Sequence, residues 1–154
     1  MRYLIAAIVV FSVCVSCNKD KYTSAPQIKF KSITPVFSSS NSNVLESPYI
    51  TIEVTDAEGD LGFNELKDTS YVYVKNLTVA PFRLDSFQFP RSLSSAPKKN
   101  FKGDVEIAIR SILASSGGVS PYTDSLYFEL YIKDFAKNKS NVIKTEKPLL
   151  YTTP

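Results

Sequence analysis

Residues Ser125–Asp134 read SLYFELYIKD. Leu126, Phe128, Leu130 and Ile132 fall on one side of an extended chain; Tyr127, Glu129, Tyr131 and Lys133 fall on the other. Side chains alternate across a strand with a period of two, whereas a helix would scatter these four apolar residues around its circumference. The segment therefore reads as a strand with one dry face. Tyr49–Asp56, YITIEVTD, repeats the pattern, with Ile50, Ile52 and Val54 opposed to Thr51, Glu53 and Thr55.

Working outward, five further runs read as strands: Gln27–Phe37, Tyr71–Val79, Phe82–Phe89, Asp104–Ser111 and Asn141–Leu150. Their expected inward residues include Ile28, Phe30 and Ile33; Phe82, Leu84 and Phe87; and Val105, Ile107 and Ile109. Pro35 and Pro148 interrupt the first and last runs, because proline cannot donate to a sheet ladder. Polar connections lie at Ser38–Ser47, Arg91–Gly103 and Leu113–Thr123, the last holding Gly117-Gly118 and Pro121. The most helix-like window, Asn64–Asp68, is long enough for a turn only. About seven short strands at this spacing predict an all-β, immunoglobulin-like β-sandwich over residues 27–154. A barrel or jelly roll would need more strands.

Composition agrees with that class. The chain has 154 residues, a length for one domain, and is 44% hydrophobic, too apolar for a disordered chain. Nine Tyr and ten Phe, with no Trp and no His, suit a pleated surface. The net charge is +3, one unit of it from Arg2. That excess is too small and too scattered to argue for a nucleic-acid partner.

Residues 1–17 read MRYLIAAIVVFSVCVSC. A positive charge at Arg2 precedes an apolar run from Tyr3 to Val15, shorter than the ~20 residues a membrane-spanning helix needs. Small Ser16 then precedes Cys17. The pattern predicts a lipoprotein signal peptide over residues 1–16, although Cys14 stands where a leucine is usual in a bacterial lipobox. Cys17 is the expected lipidation site. Acyl chains such as palmitate contribute about 0.8 kcal/mol per buried CH₂, so two or three make a lasting anchor. Residues 17–26 form the lipidated cysteine and a polar tether, NKDKYTSAP. Cys14 and Cys17 are the two cysteines of the chain, so the expected folded domain has neither a disulfide nor a thiol nucleophile.

Two motifs could carry chemistry. Asp56-Ala57-Glu58-Gly59-Asp60-Leu61-Gly62 sets three carboxylates within five residues beside two turn-forming glycines. Asp134-Phe135-Ala136-Lys137-Asn138-Lys139-Ser140-Asn141 lies between the last two strand runs. In an immunoglobulin-like sandwich these loops share one pole, the pole nearest the tether. Asp56, Glu58, Asp60, Asp134 and Asn138 would then converge, with Lys137 and Lys139 as partial charge compensation. Two readings stay open: a calcium site, since calcium takes six to eight oxygen ligands, or a pair of turns whose Asp and Asn side chains satisfy backbone amides. The acidic loop is not an EF-hand, because Leu61 and Lys67 stand where that loop needs Gly and Glu. Lys98, Lys99 and Lys102 form a basic loop. Tyr71, Tyr73, Tyr127 and Tyr131 are expected on an outer sheet face, where aromatic rings can bind a sugar or a partner.

The stretches ITIEVTDAEGDLG and DSLYFELYIKDFAKNKSNVIKT resemble a family of uncharacterised small Bacteroidetes lipoproteins, which carry D-x-D-G-D-x-G after one strand and a motif like D-R-A-x-N-K-S-N before the last. Glu58 and Phe135 depart from the usual Asp and Arg. The resemblance implies an immunoglobulin-like domain lipid-anchored to the outer membrane, with its side of that membrane open, and no established activity. No His, G-x-S-x-G, Walker or dinucleotide loop is present, so an enzyme is not expected. The expected function is a lipid-anchored envelope binding or interaction module with a protein or glycan partner; the alternative is a structural or assembly spacer.

Overall fold

The computed structural model describes residues 22–42, 47–62, 69–89 and 99–154. The expected signal peptide over residues 1–16, the expected lipidation site Cys17, the helix-like window Asn64–Asp68 and Lys98 lie outside the described residues. The described chain is all-β. Its strands are β1 (Gln27–Thr34), β2 (Phe37–Ser39), β3 (Tyr49–Asp56), β4 (Tyr71–Asn76), β5 (Leu84–Gln88), β6 (Phe101–Ala108), β7 (Tyr122–Leu126), β8 (Phe128–Lys133), β9 (Ile143–Lys144) and β10 (Leu149–Thr153). One 3-10 turn, Arg110–Ile112, follows β6.

Two sheets, β1-β3-β6 and β5-β4-β8-β9, face each other. Their inner residues form one apolar layer. Ile28, Ile50, Ile52, Val54, Val105 and Ile107 come from the first sheet, and Val72, Val74, Phe128, Leu130 and Ile132 from the second. Each large side chain fully buried there contributes ~1.5–3 kcal/mol. A third sheet, β2-β10-β7, with β2 parallel to β10, extends the sandwich at one end.

The ten strands replace the seven expected because turn residues divide the longer runs. Pro35 separates β1 from β2, so part of the expected Ser38–Ser47 loop is strand and Ser38 is buried. Glu146-Lys147-Pro148 separates β9 from β10. The SLYFELYIKD stretch is itself shared between β7 and β8, with a break at Tyr127. The inward placement of Ile28, Phe30 and Ile33 reflects a bulge. The register passes from Phe30↔Ile52 to Ser32↔Thr51, and the extra residue, Lys31, shifts the alternation by one.

One expected inward set is corrected. Phe82 and Leu84 are more than half exposed, while Phe89 is buried and Phe87 packs on the core. Parity in β5 is fixed by its partner: Val72 faces inward and pairs with Phe87, which leaves Leu84 on the outer side. Phe82 instead lies under the Lys75 ammonium, 4.7 Å from the ring centre.

The two outer faces differ in character. On the first, Lys31 pairs with Asp104 at 2.7 Å and Lys102 with Glu53 at 2.9 Å, so Lys102 belongs to the sheet surface rather than to a basic loop. Such exposed pairs each contribute ~0–1 kcal/mol. On the second, Tyr73 and Tyr131 are cross-strand partners whose rings stack at 4.6 Å. Lys139 sits 4.1 Å from the Tyr131 ring centre and Lys133 5.6 Å from that of Tyr73.

The sheets are also joined along one side. The Asn141 side chain accepts from the Ile28 N–H at 2.8 Å and donates to the Ile28 carbonyl at 3.0 Å. Replacing Asn141 by Ala leaves two backbone groups unpaired and is expected to lower stability by ~1–3 kcal/mol. Val119→Ala, at a side chain 93% exposed, should stay within ~0.5 kcal/mol of wild type. Urea midpoints followed by far-UV circular dichroism check both.

Candidate functional site: a buried carboxylate cluster

Strand parity builds the site. Ile50, Ile52 and Val54 point inward along β3, and the next residue in phase is Asp56. Phe128, Leu130 and Ile132 point inward along β8, and the next in phase is Asp134. Both aspartates are fully buried. They lie at the end of the sandwich where β3 and β8 finish and β1 begins, since Gln27 pairs with Thr55. The loops after β3 and after β8 meet there, as expected.

Each loop is folded back by its own aspartate. Gly59 adopts φ 67°, a region open to glycine, and its N–H donates to Asp56 Oδ2. The Asp134 carboxylate accepts from the Asn138 backbone N–H at 2.7 Å and from the Asn138 side-chain amide at 2.9 Å. Lys137 closes that turn at φ 68°, with its N–H on the Asp134 carbonyl at 3.2 Å. Asp60 then joins the loops: its carbonyl accepts from Phe135 N–H at 3.1 Å, and its Oδ2 from Ala136 N–H at 3.3 Å.

The result is three carboxylates, Asp56, Asp60 and Asp134, each offering an oxygen within 4.8 Å of the other two. Two oxygens of the cluster, Asp56 Oδ1 and Asp60 Oδ1, are buried without a hydrogen-bond donor. Burial pushes the Asp56 carboxyl up to about 6, against the Gly59 bond and with the repulsion of Asp60 and Glu58. Burial also raises Asp134 above the usual carboxylate range, partly offset by Asn138.

The expected site residues divide. Asp56, Asp60 and Asp134 come together, and Asn138 braces Asp134. Glu58 does not enter the cluster. It is exposed, because the turn to Gly59 directs it outward, and it accepts from the Ser24 hydroxyl at 2.8 Å. The expected compensation by lysine is also corrected. Lys139 is turned onto the Tyr131 ring, and the Lys137 ammonium reaches the Thr69 carbonyl at 3.5 Å.

Three contributors carried no sequence signal of their own. Ser70 is buried and donates its N–H to the Gly62 carbonyl at 2.9 Å, bracing the glycine end of the acidic loop. Thr23 accepts from Ala57 N–H at 3.1 Å, and Ser24 holds Glu58. Thr23 and Ser24, expected to belong to a polar tether, are thus packed on the acidic loop.

In the presence of a chelator, the native state keeps a proton on Asp56 between about pH 4 and pH 6 that the unfolded chain releases. Stability should therefore fall as pH rises through that window, by on the order of 2 kcal/mol, with Asp134 acting in the same direction. Urea midpoints at pH 4.5 and pH 7.5 measure the fall, and Asp56→Asn should reduce it.

No family model, curated protein or solved structure matches the chain.

Proposed function

We propose that this chain is a lipid-anchored interaction module of the cell envelope, held at the outer membrane through Cys17. Its carboxylate pole faces the bilayer and its β2-β10-β7 sheet faces away. The observation that carries this reading is the docking of Thr23 and Ser24 on the acidic loop. It fixes where the tether leaves the domain. From Cys17 to Tyr22 an extended chain spans at most about 18 Å, so an acylated Cys17 keeps that pole near the headgroups.

The pole away from the tether has the character of a contact surface. Val36 and Phe37 are more than half exposed, and Leu150 is 39% exposed. They are adjacent: Leu150 pairs in register with Phe37, and its N–H donates to the Val36 carbonyl at 2.9 Å. Clustered exposed apolar side chains suit a protein partner. The strand order supports the immunoglobulin-like assignment. β1, β3 and β6 occupy the places of A, B and E; β4, β8 and β9 occupy those of C, F and G; β5 extends the second sheet beside C.

Detergent phase partition of cell envelopes tests the anchor. The wild-type chain should enter the detergent phase, and Cys17→Ala should move to the aqueous phase. A wild-type chain that is soluble and unacylated by mass spectrometry overturns the proposal. A photo-crosslinker at Phe37 in intact envelopes tests the contact. One discrete adduct, missing when the crosslinker replaces Lys99, supports an interaction module; no adduct at either site favours the spacer.

A further inference from the structure

The carboxylate cluster contains more negative charge than its surroundings answer. Asp56 and Asp134 are fully buried, and Asp60 is half-buried between them. Carboxylates this close repel one another unless a proton or a cation stands between them. The hydrogen bonds to these carboxylates fold the loops: Gly59 on Asp56 Oδ2, Ala136 on Asp60 Oδ2, and Asn138 on both oxygens of Asp134. Asp56 Oδ1 and Asp60 Oδ1 are left buried without a donor. An oxygen anion buried in this way is strongly disfavoured in the absence of a counter-charge.

We infer that Asp56, Asp60 and Asp134 bind one calcium ion, which ties the loop after β3 to the loop after β8. Size and chemistry agree. All the donors are carboxylate oxygens, the hard ligands that calcium prefers. Calcium–oxygen bonds of 2.3–2.6 Å allow two ligands to sit as much as about 5 Å apart across the ion, and the three offered oxygens lie within 4.8 Å of one another. The oxygens of Asp134 retain a second lone pair after accepting from Asn138. The cluster supplies three of the six to eight ligands, and water completes the shell from the half-buried Asp60 side. Magnesium demands a stricter octahedron at 2.0–2.1 Å, which three carboxylates fixed by two separate backbone turns are poorly placed to give. Glu58 contributes charge at a distance and no ligand, since Ser24 holds it outside. The inference is independent of the lipid anchor, which enters none of these contacts.

Calcium titration of the full chain in detergent, stripped beforehand with a chelator, tests the assignment. Calcium chloride alone should bind one ion per chain in calorimetry. At a hundredfold excess over the dissociation constant it should raise the Tm by roughly 5–10 °C. Asp60→Asn should weaken binding at least tenfold, and Asp56→Asn should abolish the Tm shift, while Glu58→Gln keeps both. The wild-type titration needs no variant to fold, so the inference can fail on it alone. Absent heat and an unchanged Tm at 5 mM calcium overturn it and leave a proton shared between Asp56 and Asp60 as the counter-charge. A shift given by magnesium but not by calcium overturns it equally, as does calcium binding that survives Asp56→Asn combined with Asp60→Asn.

Discussion

Strand parity is the constraint on which the rest depends. Two sheets can share one dry layer only if every second residue of β3 and β8 faces the other sheet, and the rule does not stop when the apolar residues run out. Asp56 is the fourth inward position after Ile50, Ile52 and Val54, and Asp134 stands in the same relation to Phe128, Leu130 and Ile132. The same geometry that builds the core therefore delivers two carboxylates into it from opposite sheets. Each is accommodated by its own backbone: Gly59 folds back on Asp56, and Asn138 on Asp134. Asp60 then bridges the two turns, so the pole is a single unit although some 75 residues of chain lie between its halves.

The central strands were legible because burial on one face writes period-two alternation directly into sequence. β3, β8 and the inner residues of β6 follow from it. The meeting of the two motifs followed in turn from sandwich connectivity. What was not legible has local causes. The bulge at Lys31 has no residue type that announces it, yet it decides that Ile33 joins Ile28 and Phe30 inside. In β5 both parities carry aromatic or aliphatic residues, so the choice between Phe82 with Leu84 and Phe87 with Phe89 rested on register with β4, a tertiary fact. Glu58 looked equivalent to its neighbours because composition counts carboxylates without their directions. The lysines of the second motif looked like charge partners, whereas the antiparallel bridge that sets Lys139 opposite Lys133 puts it on the tyrosine face.

That face and the opposite one divide the remaining charge. Lys31, Asp104, Lys102 and Glu53 neutralise one another across β1, β3 and β6, and the Lys102 ammonium holds the Glu53 carboxyl below its usual range. On the other sheet, the stacked Tyr73 and Tyr131 rings are flanked by Lys133 and Lys139. A ring already stacked on one side and covered by an ammonium on the other has little free face for a sugar, whereas Phe37 of β2 and Leu150 of β10 stay exposed.

The Asn141 clasp on Ile28 has a consequence for neighbours as well as for the domain itself. β1 is the margin of its sheet, and a margin strand presents unsatisfied amides and carbonyls that invite an identical chain to add itself. A side-chain amide occupies the Ile28 pair in the manner of one more residue of ladder, and the exposed Lys29 adds a positive charge beside it. This stopper blocks strand addition along that margin and leaves any association between copies to faces rather than to ladders.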